Sequence, residues 1–422
     1  MITDRLRSPS LWYHGWNVVA LCVLVQIAAL GLTLNCFSLF LHDWTREFGM
    51  PVSDFALGIS IFSLGCALVA PFAGLAADRV PARWLLSAML LALALFHLAL
   101  SFANGGWQVV ALYAVLLPVA VTLSSGIPSQ TIVSRWFVRR VGLAMGLTAF
   151  GLALAGVLFP SLIVVLLPLY GWRVVWRLFA GLIALGVLPM VLLGMRDRPG
   201  PAEGTFYVDP ASSPPVASAQ DAAQTWLTVR QVFARRNFWV IVGTFVPIQC
   251  ASISMTVNLT PIVVSHGFTP RVAGLMIAVL SISALVAKLA AGAAADRFGN
   301  RRPMIVVAIL CAGGLAALIN AAGNLPLMTL AFVLLGLSAG VWTLLASATA
   351  AEFGRAQFGR AFGLVCMFPP VASLAPPLVA RLREDTGSYT PGLSVLLGLA
   401  VGAALVASRL REAPVAHKTP AG

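Results

Sequence analysis

Apolar residues in this chain neither alternate nor recur at every third or fourth position; they come in runs. Long stretches of Leu, Ala, Val, Ile and Phe are bounded by short polar turns that carry arginine. A helix needs about 20 such residues to cross a bilayer, whereas a membrane barrel would show alternating segments of about ten. The pattern predicts an all-α polytopic membrane protein. Twelve spans can be marked, at 14–41, 53–77, 85–103, 107–134, 141–167 and 172–195, then 238–265, 271–295, 303–322, 326–351, 358–382 and 391–408. The first run is too long for a signal peptide and is not followed by a small-residue cleavage site, so it is read as the first span. Between 196 and 236 the chain turns polar and rich in Pro, Ala and Ser, which reads as a flexible linker with one short amphipathic segment near 226–233. The expected organisation is a six-helix bundle over 1–195, a cytoplasmic linker over 196–237, a second bundle over 238–410 and a cytoplasmic tail over 411–422.

Composition agrees. The chain is 59% hydrophobic and 10% charged, against about 25% charged in soluble domains. The net charge of +13 does not point to nucleic acid, because the arginines are scattered between apolar runs. They follow topology instead. With both termini cytoplasmic, twenty of the 27 basic residues fall on that side; Arg46, Arg173, Arg177, Arg271, Arg381 and Arg383 fall outside, and Lys288 lies within a span. Abundant Ala and the excess of Arg over Lys hint at a GC-rich bacterial genome, so the expected location is a bacterial inner membrane. The six cysteines all lie in apolar runs without metal-ligand spacing. No His/Asp/Glu cluster, P-loop or nucleophile–base pair is present, so neither an enzyme nor ATP drive is expected, and no cofactor or metal.

The halves echo each other. Trp16 is followed nineteen residues later by Asn35, and Trp239 nineteen residues later by Asn258. GLAADRVPARW from Gly74 has its counterpart in GAAADRFGNRR from Gly292, and Asp78 and Asp296 are 218 apart. A duplicated six-span unit in parallel orientation follows, an architecture that places a binding site between the halves near the midplane.

The pattern G-x-x-x-D-R-x-x-x-R, repeated after spans 2 and 8, resembles the loop motif of the major facilitator superfamily. The resemblance implies a conformational latch of Asp78, Arg79, Arg83, Asp296, Arg297, Arg301 and Arg302 that stabilises an outward-open state. Each aspartate can face the positive N-terminus of a neighbouring helix. The bland reading is topology anchoring by charge alone. The first copy departs from the family pattern at Val80-Pro81-Ala82, where a glycine is usual.

Two further stretches, WFVRRVGLAMGLTAFGLALAG from Trp136 with the later YGWR, and YHGWNVV from Tyr13, resemble the monocarboxylate transporter and oxalate–formate antiporter group. In that group span 8 carries a cation four positions before the motif glycine. Lys288 takes that place, and the resemblance implies that it binds the substrate carboxylate. The residues lead to the same point. Ser281, Ala284, Ala291 and Gly292 share its face and are all small. The apolar runs hold no acid to pair with it, since Asp54, Asp78, Asp296 and Glu352 fall at span ends. A structural ion pair, or snorkelling to the interface, is the competing account. The aspartate that many proton symporters place one turn earlier is here Ala284, and their span 1 lysine is replaced around Leu34 and Asn35. Those losses favour anion exchange or uniport over proton symport.

Asn35, Asn258, Tyr113, Gln249 and Trp342 are further candidate substrate-binding residues, each weighed against a packing role. His97 is read as packing. Pro369-Pro370 and Pro376-Pro377 are expected to bend span 11. The expectation is a secondary active or facilitative transporter of small organic anions, a monomer in the lipid bilayer with a proton or counter-anion as possible co-substrate. An exporter of amphipathic, drug-like compounds is the alternative. A sensor is disfavoured, because the linker and tails are too short for a signalling domain.

Overall fold

The computed structural model describes residues 13–31, 33, 36–137, 140–197, 227–354 and 357–411. Among them every regular element is a helix. Eleven helices have the length and hydropathy to cross a membrane. Span 1 is the twelfth and is split. Gly15–Leu30 is apolar but short, Gly31, Thr33 and Cys36 lie in turns, and a further helix runs from Phe37 to Phe48. The twelve-span architecture stands, with its first member in two pieces.

Other breaks follow local chemistry. Spans 5 and 6 run on from Val141 to Gly194 and are separated at Gly171, whose φ of 73° favours a residue without Cβ. Span 4 breaks at Ser125, and span 10 at Ala339 and Gly340, similar heights in the two halves. Span 11 unwinds into a tight turn, Pro369–Leu374, between Phe358–Val365 and Ala375–Thr386. Its prolines remove backbone donors, so the α-helical ladder cannot pass through.

The halves meet along two matching seams. Span 2 packs on span 11, and span 8 packs on span 5. Glycines allow backbone to touch backbone. A Cβ on Gly363 would lie 2.5 Å from the Ala70 carbonyl oxygen, and one on Gly146 would lie 2.5 Å from that of Lys288. Gly74 meets the backbone of Gly359 in one seam, as Gly292 meets that of Gly142 in the other. Small residues are what allow such approach between membrane helices. The duplication legible in the sequence is therefore a duplication of contact geometry.

The two motif turns reach the same end by different routes. After span 8 the chain turns at Gly299, φ 77°. After span 2 it turns through Val80, held extended before Pro81, and needs no positive φ. Of the linker, 196–197 and 227 onward are described: Val229–Ala234 is a short helix with a Thr228–Gln231 capping box, and Leu227 N donates to Gln357 Oε1 at 3.0 Å.

Candidate functional site

Lys288 lies on an unbroken helix, Pro270–Phe298, on the face turned to span 5. It is 8% exposed. Its Nζ donates to the carbonyl oxygen of Ala149 in span 5 at 3.3 Å, across the seam between halves. Its own carbonyl accepts from Thr343 Oγ1 of span 10 at 3.1 Å. Among the described residues no carboxylate pairs with it. Two and a quarter turns separate it from Asp296, about 12 Å along a helix, so it sits well inside a core about 30 Å thick.

The remaining candidates separate. Trp342 is half-buried; its ring meets that of Phe245 in span 7 at 4.7 Å, and it is the chain neighbour of Thr343, which contacts Lys288. Gln249 lies one turn beyond Phe245 and is 9% exposed. Asn258 donates to the carbonyls of Ser254 and Pro376, which is a helix-to-helix tie. Tyr113 is buried in a π-helical turn of span 4, Leu112–Leu116, and its hydroxyl donates to the Thr33 carbonyl at 3.1 Å. It braces the break in span 1 rather than joining Lys288. Asn35 lies outside the described residues.

In the motif turns the aspartates make the cross-seam contacts. Asp78 accepts from Gly359 N at 3.1 Å and Arg360 N at 2.7 Å, at the first residues of span 11. Asp296 accepts from Gly142 N at 2.7 Å and Leu143 N at 2.9 Å, at the start of span 5. Each carboxylate thus satisfies orphan helix donors of the opposite half and meets the positive end of its dipole. The surroundings differ. The Asp78 side chain is fully enclosed and has Arg135 Nη2 at 3.4 Å; Asp296 is exposed.

The motif arginines do other work. Arg83 Nε donates to the Met195 carbonyl at 3.3 Å within its own half, and Ala82 N donates to Asp197 nearby, which pins the turn to the end of span 6. The Arg297 guanidinium lies over the Phe298 ring at 5.3 Å. Arg301 and Arg302 are exposed at the start of span 9, and Arg79 is exposed at the end of span 2. Arg135, which the motif did not single out, supplies the counter-charge to Asp78; the basic end of span 4 was its only signal in the sequence. Thr343 had no signal of its own.

At the end of the first half away from the motif turns, Glu47 accepts from Trp172 Nε1 at 2.7 Å and pairs with Arg173. On the surface of the second half, Ala287, Ala290, Ala294, Phe298, Arg302 and Leu337 line an apolar groove of about 420 Å³.

Two pseudo-symmetric six-helix halves, docked through paired glycine seams with Lys288 buried in one of them, have the build of a membrane carrier rather than an enzyme. The sequence profile of the Major Facilitator Superfamily matches residues 21–266 and 248–422, and the chain belongs to that family. It is 27% identical over 391 residues to the agnestins efflux protein AgnL12 of Paecilomyces divaricatus, covering 89% of this chain and 83% of that one. It is 29% identical over 395 residues to monocarboxylate transporter 3 of Rattus norvegicus, covering 89% and 75%. The crystal structure of a double tryptophan mutant of XylE superposes with a TM-score of 0.74 at 13% identity, covering 95% of this chain and 96% of that one, and shares the fold.

Proposed function

We propose that the chain carries small organic anions of the monocarboxylate type by alternating access, with Lys288 as the anchor for the substrate carboxylate. One observation carries this reading. The seam is built twice, and the position that holds Lys288 in one copy holds Ala70 in the other. Packing therefore needs only a small residue there. A lysine at that depth costs roughly 2.5–3.5 kcal/mol. Its ammonium rests on a backbone carbonyl, a weak partner that an anion displaces by Coulomb attraction. A relative named as a monocarboxylate transporter supports the substrate class.

On this reading the basic face is cytoplasmic, by the positive-inside rule, and the membrane is a bacterial inner membrane. Asp78 and Asp296 then latch the cytoplasmic side, and the state described is closed to the cytoplasm. No titratable side chain pairs with Lys288 among the described residues, which favours exchange or uniport over proton symport. The efflux relative and the apolar groove beside span 8 favour a second reading, export of amphipathic compounds.

The test is uptake of labelled small carboxylates into proteoliposomes by wild type, Lys288→Arg and Lys288→Ala, with and without a pH gradient or internal anion. Saturable uptake that persists in the arginine variant and disappears in the alanine variant is expected. Undiminished uptake by Lys288→Ala would remove the anchor.

A further inference from the structure

Gln26 in span 1 and Gln249 in span 7 are 223 residues apart, the offset that also separates Trp16 from Trp239 and Asn35 from Asn258. The duplication thus sets one amide at the same height in the first helix of each half. Counted from Gly15 and Arg236, that height is about 17–20 Å along the helix, near the middle of the bilayer. Gln26 is 4% exposed and Gln249 is 9% exposed. In each, Oε1 is enclosed without a hydrogen-bond partner among the described residues. A buried acceptor left unmade costs about 1–3 kcal/mol. Here that cost occurs twice, at symmetry-related places.

A purely structural amide would bond to a neighbouring helix. Asn258, on the same helix as Gln249, does so through Pro376. Gln249 does not. It stands one turn from Phe245, whose ring meets Trp342, the residue beside the Thr343 that hydrogen-bonds Lys288. Gln26 stands one turn from Cys22, which contacts the Ser129 carbonyl of span 4. The Ser129 hydroxyl is likewise without a partner among the described residues.

We propose that Gln26 and Gln249 form a paired polar subsite that binds the neutral hydrogen-bonding groups of the transported anion on either side of its carboxylate. This rests on the reading of Lys288 as the anion anchor. One cation together with two open amide oxygens suits a monoanion bearing hydroxyl or N–H donors. Those donors satisfy the open amide oxygens, which a plain alkyl carboxylate leaves unmade. Specificity of this kind comes from the polar group that the wrong substrate strands.

The experiment compares 2,3-dihydroxypropanoate with propanoate, which differ by two hydroxyls, one donor for each amide oxygen, in proteoliposomes carrying wild type, Gln26→Met, Gln249→Met or Lys288→Ala. Methionine keeps the side-chain volume, and melting temperature and reconstitution yield check that each variant is folded. The expected result is a KM for the hydroxy acid raised about tenfold in each methionine variant at unchanged maximal rate, the scale of one lost hydrogen bond. The KM for propanoate should stay within about twofold. Parallel shifts for both acids, or no shift for either, would overturn the subsite. Undiminished uptake by Lys288→Ala would overturn the anchor while the methionine variants still report on the amides. Failure of wild type to carry either acid would overturn both.

Discussion

Replacing Asp78 by asparagine should open the seam far more than the same change at Asp296. Both carboxylates hold two backbone N–H groups of the opposite half, so a count of contacts makes them equal. Their surroundings do not. Asp78 has no exposed side-chain surface, and Arg135, which also donates to the Ala77 carbonyl at 2.6 Å, supplies its counter-charge. Asparagine has one acceptor oxygen and no charge. One amide bond is lost, the other is weakened, and Arg135 loses the charge of Asp78. Hydrogen bonds to charged groups contribute about 1.5–3 kcal/mol each, so Asp78→Asn should cost the closed seam about 2–4 kcal/mol. Asp296 has Arg140 as its more distant counter-charge and is open to solvent on one side, so water replaces part of what is lost and screens the rest, which leaves about 1 kcal/mol. At 1.4 kcal/mol per tenfold, the ratio of closed to open seam should fall by about 30- to 700-fold for Asp78→Asn and about fivefold for Asp296→Asn. Val80 and Phe298, exposed and in opposite halves at the basic face, suit paired spin labels once the six free cysteines are replaced. Pulsed electron paramagnetic resonance in nanodiscs then reads the populations. Equal opening by the two variants, or a larger effect at Asp296, would refute the argument from burial.

Two further outcomes are expected. Gly363→Ala puts a methyl 2.5 Å from the Ala70 carbonyl oxygen, so spans 2 and 11 must part by close to 1 Å; the same spin-label pair should report a wider seam, with little change in melting temperature because each half keeps its own core. Glu47 loses stability to burial, but hydrogen bonds from Trp172 and Arg173 and the Arg173 charge outweigh this and hold its carboxyl below the ordinary value. A lowered folded-state pKa contributes stability above the unfolded pKa and loses it as pH falls through the folded one. The melting-temperature advantage of wild type over Glu47→Gln should therefore be full at neutral pH and vanish in acid below the usual carboxylate range.

Hydrophobic runs long enough to span a bilayer leave a chain almost no choice of secondary structure, because an unmade backbone hydrogen bond in lipid is too costly. The twelve spans, the duplication and the charged turns were legible in the sequence for that reason. The burial of Lys288 was legible too, since a lone lysine in an apolar run conflicts with its surroundings wherever the helix packs. Partnership was not. The sequence could not tell that Asn258 would spend its amide on span 11, that Tyr113 would brace the break in span 1, or that Arg83 would turn back to span 6. Nor could it separate Asp78 from Asp296, which carry the same motif and differ only in what encloses them. Those outcomes depend on which helix faces come within hydrogen-bond reach, and only the packing of the helices decides that. The same reasoning applies to Ala70 and Lys288. Either residue is an ordinary member of its span, and only the folded seam places them at one position of a duplicated contact, where the difference between them acquires meaning.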